Sequence, residues 1–179
     1  MARQGKAILC ALGLGTAAVL AGSTPAGAGP PPKALWATVN ICDTFDHPNQ
    51  MGVRASMPAG GRRQRMYMRF HAEFYNPAKK EWFKVKGSGV SRWIYVGSGR
   101  RETRQAGYTF SFMPPKPGAT YVLRGVVDFQ WRVRRRRRHH RHRRRTVVVR
   151  TLHANTKGEH PADGADPPGY SSGTCEIRS

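Results

Sequence analysis

The sequence of 179 residues predicts an all-β protein, an antiparallel β-sandwich of about seven short strands preceded by a secretory leader. Three features predict it: two-residue alternation of apolar and polar side chains, clusters of Gly, Pro, Asn and Asp between the alternating runs, and no amphipathic helical period. The clearest run is RMYMRFHAEFYN at 65–76. Met66, Met68, Phe70, Ala72 and Phe74 point one way, and Tyr67, Arg69, His71, Glu73 and Tyr75 the other. Such alternation marks a strand with one buried face, and Asn76-Pro77 ends it.

The remaining elements follow in order. Arg3 and Lys6 precede an uncharged stretch, Ala7 to Ala21, and the small-residue site Ala26-Gly27-Ala28. That order is the build of a signal peptide over 1–28, cut after Ala28. The uncharged stretch falls short of the roughly 20 residues that span a bilayer, and no later segment is apolar enough to do so. A Pro-rich lead-in, 29–33, connects to one domain at 34–179. Its other expected strands are LWATVNIC (35–42), MGVRASM (51–57), WFKVKG (82–87), SRWIYVG (91–97), GYTFSFM (107–113), TYVLRGVVDFQWRV (120–133) and TVVVRTLHA (146–154). In the penultimate strand Tyr121, Leu123, Val127, Phe129 and Trp131 share one face, with Arg124, Asp128, Gln130 and Arg132 opposite. The tail after 154 is turn-forming and is expected to be irregular until Cys175.

Cys10 leaves with the leader, so Cys42 and Cys175 remain. Two cysteines in an exported chain predict one disulfide, tying the first strand to the tail.

Strand number and spacing over 34–179 resemble those of the immunoglobulin-like modules found in small secreted bacterial proteins. The resemblance is architectural. It implies two packed antiparallel sheets and a role in adhesion or ligand binding. The sequence departs from immunoglobulin domains in joining the first strand to the tail, and neither Trp82 nor Trp93 takes the usual place between two cysteines.

Charge carries the functional reading. The 31 lysines and arginines exceed ten acids by 21, and loss of Arg3 and Lys6 with the leader leaves +19. Ten of the arginines fall in RVRRRRRHHRHRRR, residues 132–145, between two strands that look like partners in a hairpin. Mutual repulsion keeps such a run solvated, which predicts a two-stranded stalk with a mobile basic tip and arginines alternating along the stalk ends. Guanidinium forks match carboxylates and phosphates, so the expected anion-binding residues are Arg134, Arg135, Arg136, Arg137, Arg138, Arg141, Arg143, Arg144 and Arg145. For a secreted or cell-surface protein the available partners are anionic envelope polymers, acidic polysaccharides, anionic lipid headgroups and extracellular DNA. Nucleic acid binding through the same run is the alternative. It requires that the N-terminal run not act as a leader, and Tyr67 and Tyr75 beside Arg69 are the side chains that would either stack bases or cover the sheet.

Nothing in the sequence asks for catalysis or a cofactor. The one Gly-x-Ser-x-Gly match, GYSSG at 169–173, lies in the turn-forming tail with no helix after it, so it makes no nucleophile elbow. His71, Glu73 and Arg69 read as an exposed row of charges making cross-strand pairs. His160, Asp163 and Asp166 lack the calcium-loop pattern. His139, His140 and His142 stand among arginines that repel a metal cation. The Gly-Ser-Gly triplets at 87–89 and 97–99 lack the following helix a phosphate loop needs, and read as turns.

Overall fold

The computed structural model describes residues 34–99, 102–137, 140–160 and 162–179, and of 136, 137 and 140–143 the backbone alone. The expected leader (1–28) and lead-in (29–33) lie outside the described residues. The strands are β1 (Trp36–Cys42), β2 (Gln50–Met57), β3 (Arg65–Asn76), β4 (Glu81–Lys84), β5 (Ile94–Ser98), β6 (Arg104–Ser111), β7 (Thr120–Arg137), β8 (His140–Asn155) and β9 (Cys175–Arg178). All of their pairings are antiparallel. One sheet has the order β1-β2-β6, the other β4-β3-β7-β8, with β5 also on β3 and β9 also on β7. No α-helix occurs among the described residues.

The two sheets pack face to face, and alternation decides which side chains lie between them. Val39, Met51, Val53 and Met57 come from the smaller sheet, and Met66, Met68, Phe70, Val127, Phe129 and Trp131 from the larger; all are buried. Each such side chain stabilises the fold by roughly 1.5–3 kcal/mol. The faces assigned to 65–76 and 120–133 from periodicity are the observed ones for the residues of the core.

Each of the eight expected runs carries a strand and β9 makes a ninth, while the boundaries differ where charge or glycine obscures the period. The strand expected at 82–87 stops at Lys84, and Gly87–Gly89 forms a single 3-10 turn. The second triplet does not make a separate turn: Gly97 and Ser98 belong to β5. A short β9 at the end of the tail adds to β7.

β1 is buried on both faces, although only one was expected to be. Ser172 and Val39 exchange two backbone hydrogen bonds of 2.9 and 3.0 Å, Asn40 donates to the Gly164 carbonyl, and Trp36 stacks on His160. The irregular tail thus clasps the free edge of β1. The Cys42–Cys175 disulfide holds the same corner, with Cα atoms 5.3 Å apart, and joins the two sheets. β8, the last strand of the larger sheet, has no partner on its outer edge among the described residues.

Gly125 marks a close approach between the sheets. A Cβ placed there would lie 2.7 Å from Val53 Cγ2 in the facing sheet and 2.8 Å from Thr156 Cγ2. Gly125→Ala is therefore expected to lower stability by about 1–3 kcal/mol, measured by urea unfolding. An unchanged midpoint would show that this contact yields freely.

Candidate anion-binding site

The described residues of the arginine run lie on strands. β7 and β8 pair continuously from Val126↔Asn155 to Arg136↔Arg144, with Arg137 opposite His140. β3 ends its pairing with β7 at Arg65↔Arg132. Beyond Arg132 the hairpin is therefore a two-stranded ribbon that projects past the sheet. The strands run further into 132–145 than the expected ends at 133 and 146. Register set by the apolar halves of both strands carries on into the charged halves, and alternation divides the arginines between two faces. Same-face neighbours along one strand are then about 6.5–7 Å apart, far enough for hydration to weaken their repulsion, whereas cross-strand partners stand closer. Bulges at Trp131/Arg132 and Arg136/Arg137 add local twist.

Arg134, Arg135, Arg144 and Arg145 are exposed. Arg135 stands directly opposite Arg145, and Arg136 opposite Arg144. Like charges opposite each other on paired strands are unfavourable, and an anion relieves that cost. None of these four exposed arginines has an ion-pair partner among the described residues. Arg136, Arg137, Arg141 and Arg143 are placed by their backbone only, and Arg138 and His139 lie outside the described residues, as do the side chains of His140 and His142.

At the ribbon's base, the outer face of the larger sheet holds a charged cluster that sequence alone did not assemble. Asp128 is its centre. Arg69 donates to Asp128 Oδ2 through Nε at 3.1 Å and Nη2 at 2.7 Å. His71 Nε2 lies 2.8 Å from the same oxygen, and His153 Nδ1 lies 2.6 Å from Oδ1. Burial by itself would raise the Asp128 pKa. Hydrogen bonds from His71, Arg69 and His153 outweigh it and hold the carboxyl well below its ordinary range. Arg124 grips Glu73 in the same two-pronged way, at 2.9 and 2.7 Å.

These pairs correct a second expectation. His71 and Glu73 were read as an exposed row, yet they are 7% and 8% exposed. The connection between β4 and β5 covers them: Val85 N–H donates to the Ala72 carbonyl, Val90 bridges to His71, and Ser91 Oγ accepts the Phe70 N–H. Among the described residues no serine, threonine or cysteine is hydrogen-bonded to His71 or His153. The cluster's evident chemistry is charge compensation across three strands.

Aromatic rings and guanidinium groups alternate over the rest of this face. Arg69 lies 4.6 Å from the Trp93 ring centre, Arg132 4.5 Å from the same ring and 4.2 Å from Tyr67, and Arg65 4.6 Å from Tyr95. Arg124 covers Trp82 at 4.3 Å, and Trp82 packs against Tyr75 at 5.3 Å. Tyr67 and Tyr75 thus cover the sheet and support arginine. The signal for this was present as alternating Arg and aromatic residues in β3, but the register of β5 was needed to bring Trp93 and Tyr95 to it.

The tail's candidate ligands are engaged elsewhere. His160 stacks on Trp36, and the Asp166 carboxylate accepts the Thr44 hydroxyl. No group of three or more metal-ligating side chains occurs among the described residues. No helix there is long and apolar enough to cross a membrane. No protein-family model matches the chain, and no curated protein matches it.

Proposed function

We propose that the protein is a secreted, non-catalytic interaction module whose arginine-rich hairpin binds anionic polymers of a cell envelope or extracellular matrix. The observation that carries this reading is the projecting ribbon, where Arg135 faces Arg145 and Arg136 faces Arg144 with no carboxylate paired to the exposed arginines among the described residues. Guanidinium forks so placed suit carboxylates and phosphates. The leader-like N-terminus and the Cys42–Cys175 bridge agree with an oxidising compartment outside the cytoplasm. Nucleic acid is the second reading, supported by arginine density. It is disfavoured because Tyr67, Tyr75 and Trp93 already pack against protein groups and offer less ring surface to bases.

Replacing Arg134–Arg138, Arg141 and Arg143–Arg145 by glutamine is expected to weaken retention on isolated cell envelopes by at least about 100-fold, since each basic side chain near an anionic surface contributes about 1 kcal/mol. Circular dichroism and the thermal midpoint are expected to stay unchanged, because the ribbon lies beyond the core. Unchanged retention would reject the reading.

A further inference from the structure

Four arginines crowd the outer face of the larger sheet, and they fall into two kinds. Arg69 and Arg124 each hold a carboxylate, on Asp128 and Glu73. Arg65 and Arg132 hold none among the described residues, although they are direct partners across β3 and β7. Two cations placed opposite each other on paired strands repel unless something lies between or over them. Aromatic rings do part of this. Arg65 rests against Tyr95 and Arg132 against Tyr67 and Trp93, so both guanidinium groups are restrained before any ligand arrives. Gln130 accepts a hydrogen bond only from Arg132 Nε, at 2.9 Å, which leaves the two terminal amino groups without a hydrogen-bond partner among the described residues. Burial, opposed by Tyr67 and reinforced by Arg69, holds the Arg132 pKa below its usual value. A cation in that state lacks a counter-charge.

The position of Arg132 matters as much as its chemistry. It is the last β7 residue paired with β3, and Arg134, two residues on, shares its face. The ribbon's arginines therefore continue onto the sheet without a break: Arg134 to Arg132 along β7, then across to Arg65. From Arg132 to Arg136 the strand rises about 13 Å, with a further strand spacing of about 4.8 Å to reach Arg65. A headgroup or free phosphate would be satisfied by a few arginines at the tip. A track of this length rewards a ligand that carries charge at intervals along a chain.

Resting on the function proposed above, we infer that the anion-binding surface runs from the hairpin through Arg134 and Arg132 to Arg65, and that its ligand is a linear acidic polysaccharide gripped along its length. Carboxylate-bearing sugars need only the in-plane N–H donors of ring-supported arginines. Single-stranded nucleic acid draws much of its affinity from base stacking, and at Tyr67 and Trp93 guanidinium groups already occupy ring surface.

The test compares the binding of galacturonate oligomers of increasing length, from digalacturonate to polygalacturonate, by calorimetry at one low salt concentration. Wild type is expected to gain affinity with length. The double variant R65Q/R132Q is expected to bind digalacturonate as wild type does and to lose about tenfold or more on polygalacturonate, from about 1 kcal/mol per basic side chain. R65K/R132K keeps the charge but not the fork, and is expected to fall between them. R65Q alone leaves Arg132 between Tyr67 and Trp93, and covers the case in which the double variant does not fold. Unchanged binding of polygalacturonate by folded R65Q/R132Q and R65Q would overturn the track while leaving the hairpin's function standing. Hairpin-dependent retention on envelopes without any galacturonate binding would overturn the polysaccharide class alone. A length-dependent gain on oligothymidylate, with none on galacturonate, would do the same.

Discussion

Removal of the Cys42–Cys175 bridge by the double variant C42A/C175A is expected to lower the free energy of unfolding by about 5 kcal/mol. The closed loop has a sequence separation of 133 residues, so nearly the whole domain is constrained in the unfolded state. Chain entropy for a loop of that size gives about 5 kcal/mol, within the range of 2–5 kcal/mol typical of small secreted domains. That is a third or more of the stability of an ordinary domain. The mechanism leaves a second mark. A cross-linked unfolded chain is more compact, so the urea dependence of stability is expected to steepen when the link is lost. A smaller loss with an unchanged slope would place the bridge's effect in local contacts at the β1–β9 corner.

Asp128→Asn is expected to cost about 3 kcal/mol, because it leaves the guanidinium of Arg69 without its counter-charge and disturbs the hydrogen bond to the buried ring of His71. For a domain of this size that corresponds to a fall of about 6–12 °C in the thermal midpoint. The sign of the pH dependence follows from the depressed carboxyl. In the unfolded chain Asp128 takes up a proton near pH 3.9. In the folded chain it resists protonation to lower pH. Its contribution is complete above that range and is lost as pH falls toward the folded pKa, by up to about 1.4 kcal/mol per pH unit. The stability gap between wild type and Asp128→Asn is thus expected to narrow on acidification below about pH 4. A gap that stays constant would show that the carboxylate is not held by these partners.

Sequence pattern revealed the sandwich where one face of a strand is apolar. In β3 the alternation from Met66 to Ala72 assigns the core side directly, and β7 repeats it from Leu123 to Trp131. The disulfide was legible because only two cysteines follow the expected leader. What alternation does not report is the cover over the other face. His71 and Glu73 looked exposed because the segment that hides them, from Val85 to Ser91, has no period of its own and is placed by single contacts to Phe70, His71 and Ala72. β1 is similar: its polar Thr38 and Asn40 are buried by a tail of turn-forming residues. The arginine run was legible as the end of a hairpin, but not how far its strands extend: like charges hid the period, whereas the apolar stretches on either side had already fixed the register of the ribbon. The pairing of Arg65 with Arg132 escaped notice because Arg65 lies outside the dense block and Arg132 only opens it, and their meeting depends on strand pairing.

The unpartnered outer edge of β8 has a consequence for how copies of this protein meet one another. A long strand with free backbone groups and the exposed valines Val148 and Val149 is an invitation to edge-to-edge stacking. Parallel, in-register docking of two such edges would set one arginine block against the other, and their repulsion opposes it. Under the proposed function, a polyanion that screens the block would lift that restraint and let copies assemble side by side along it.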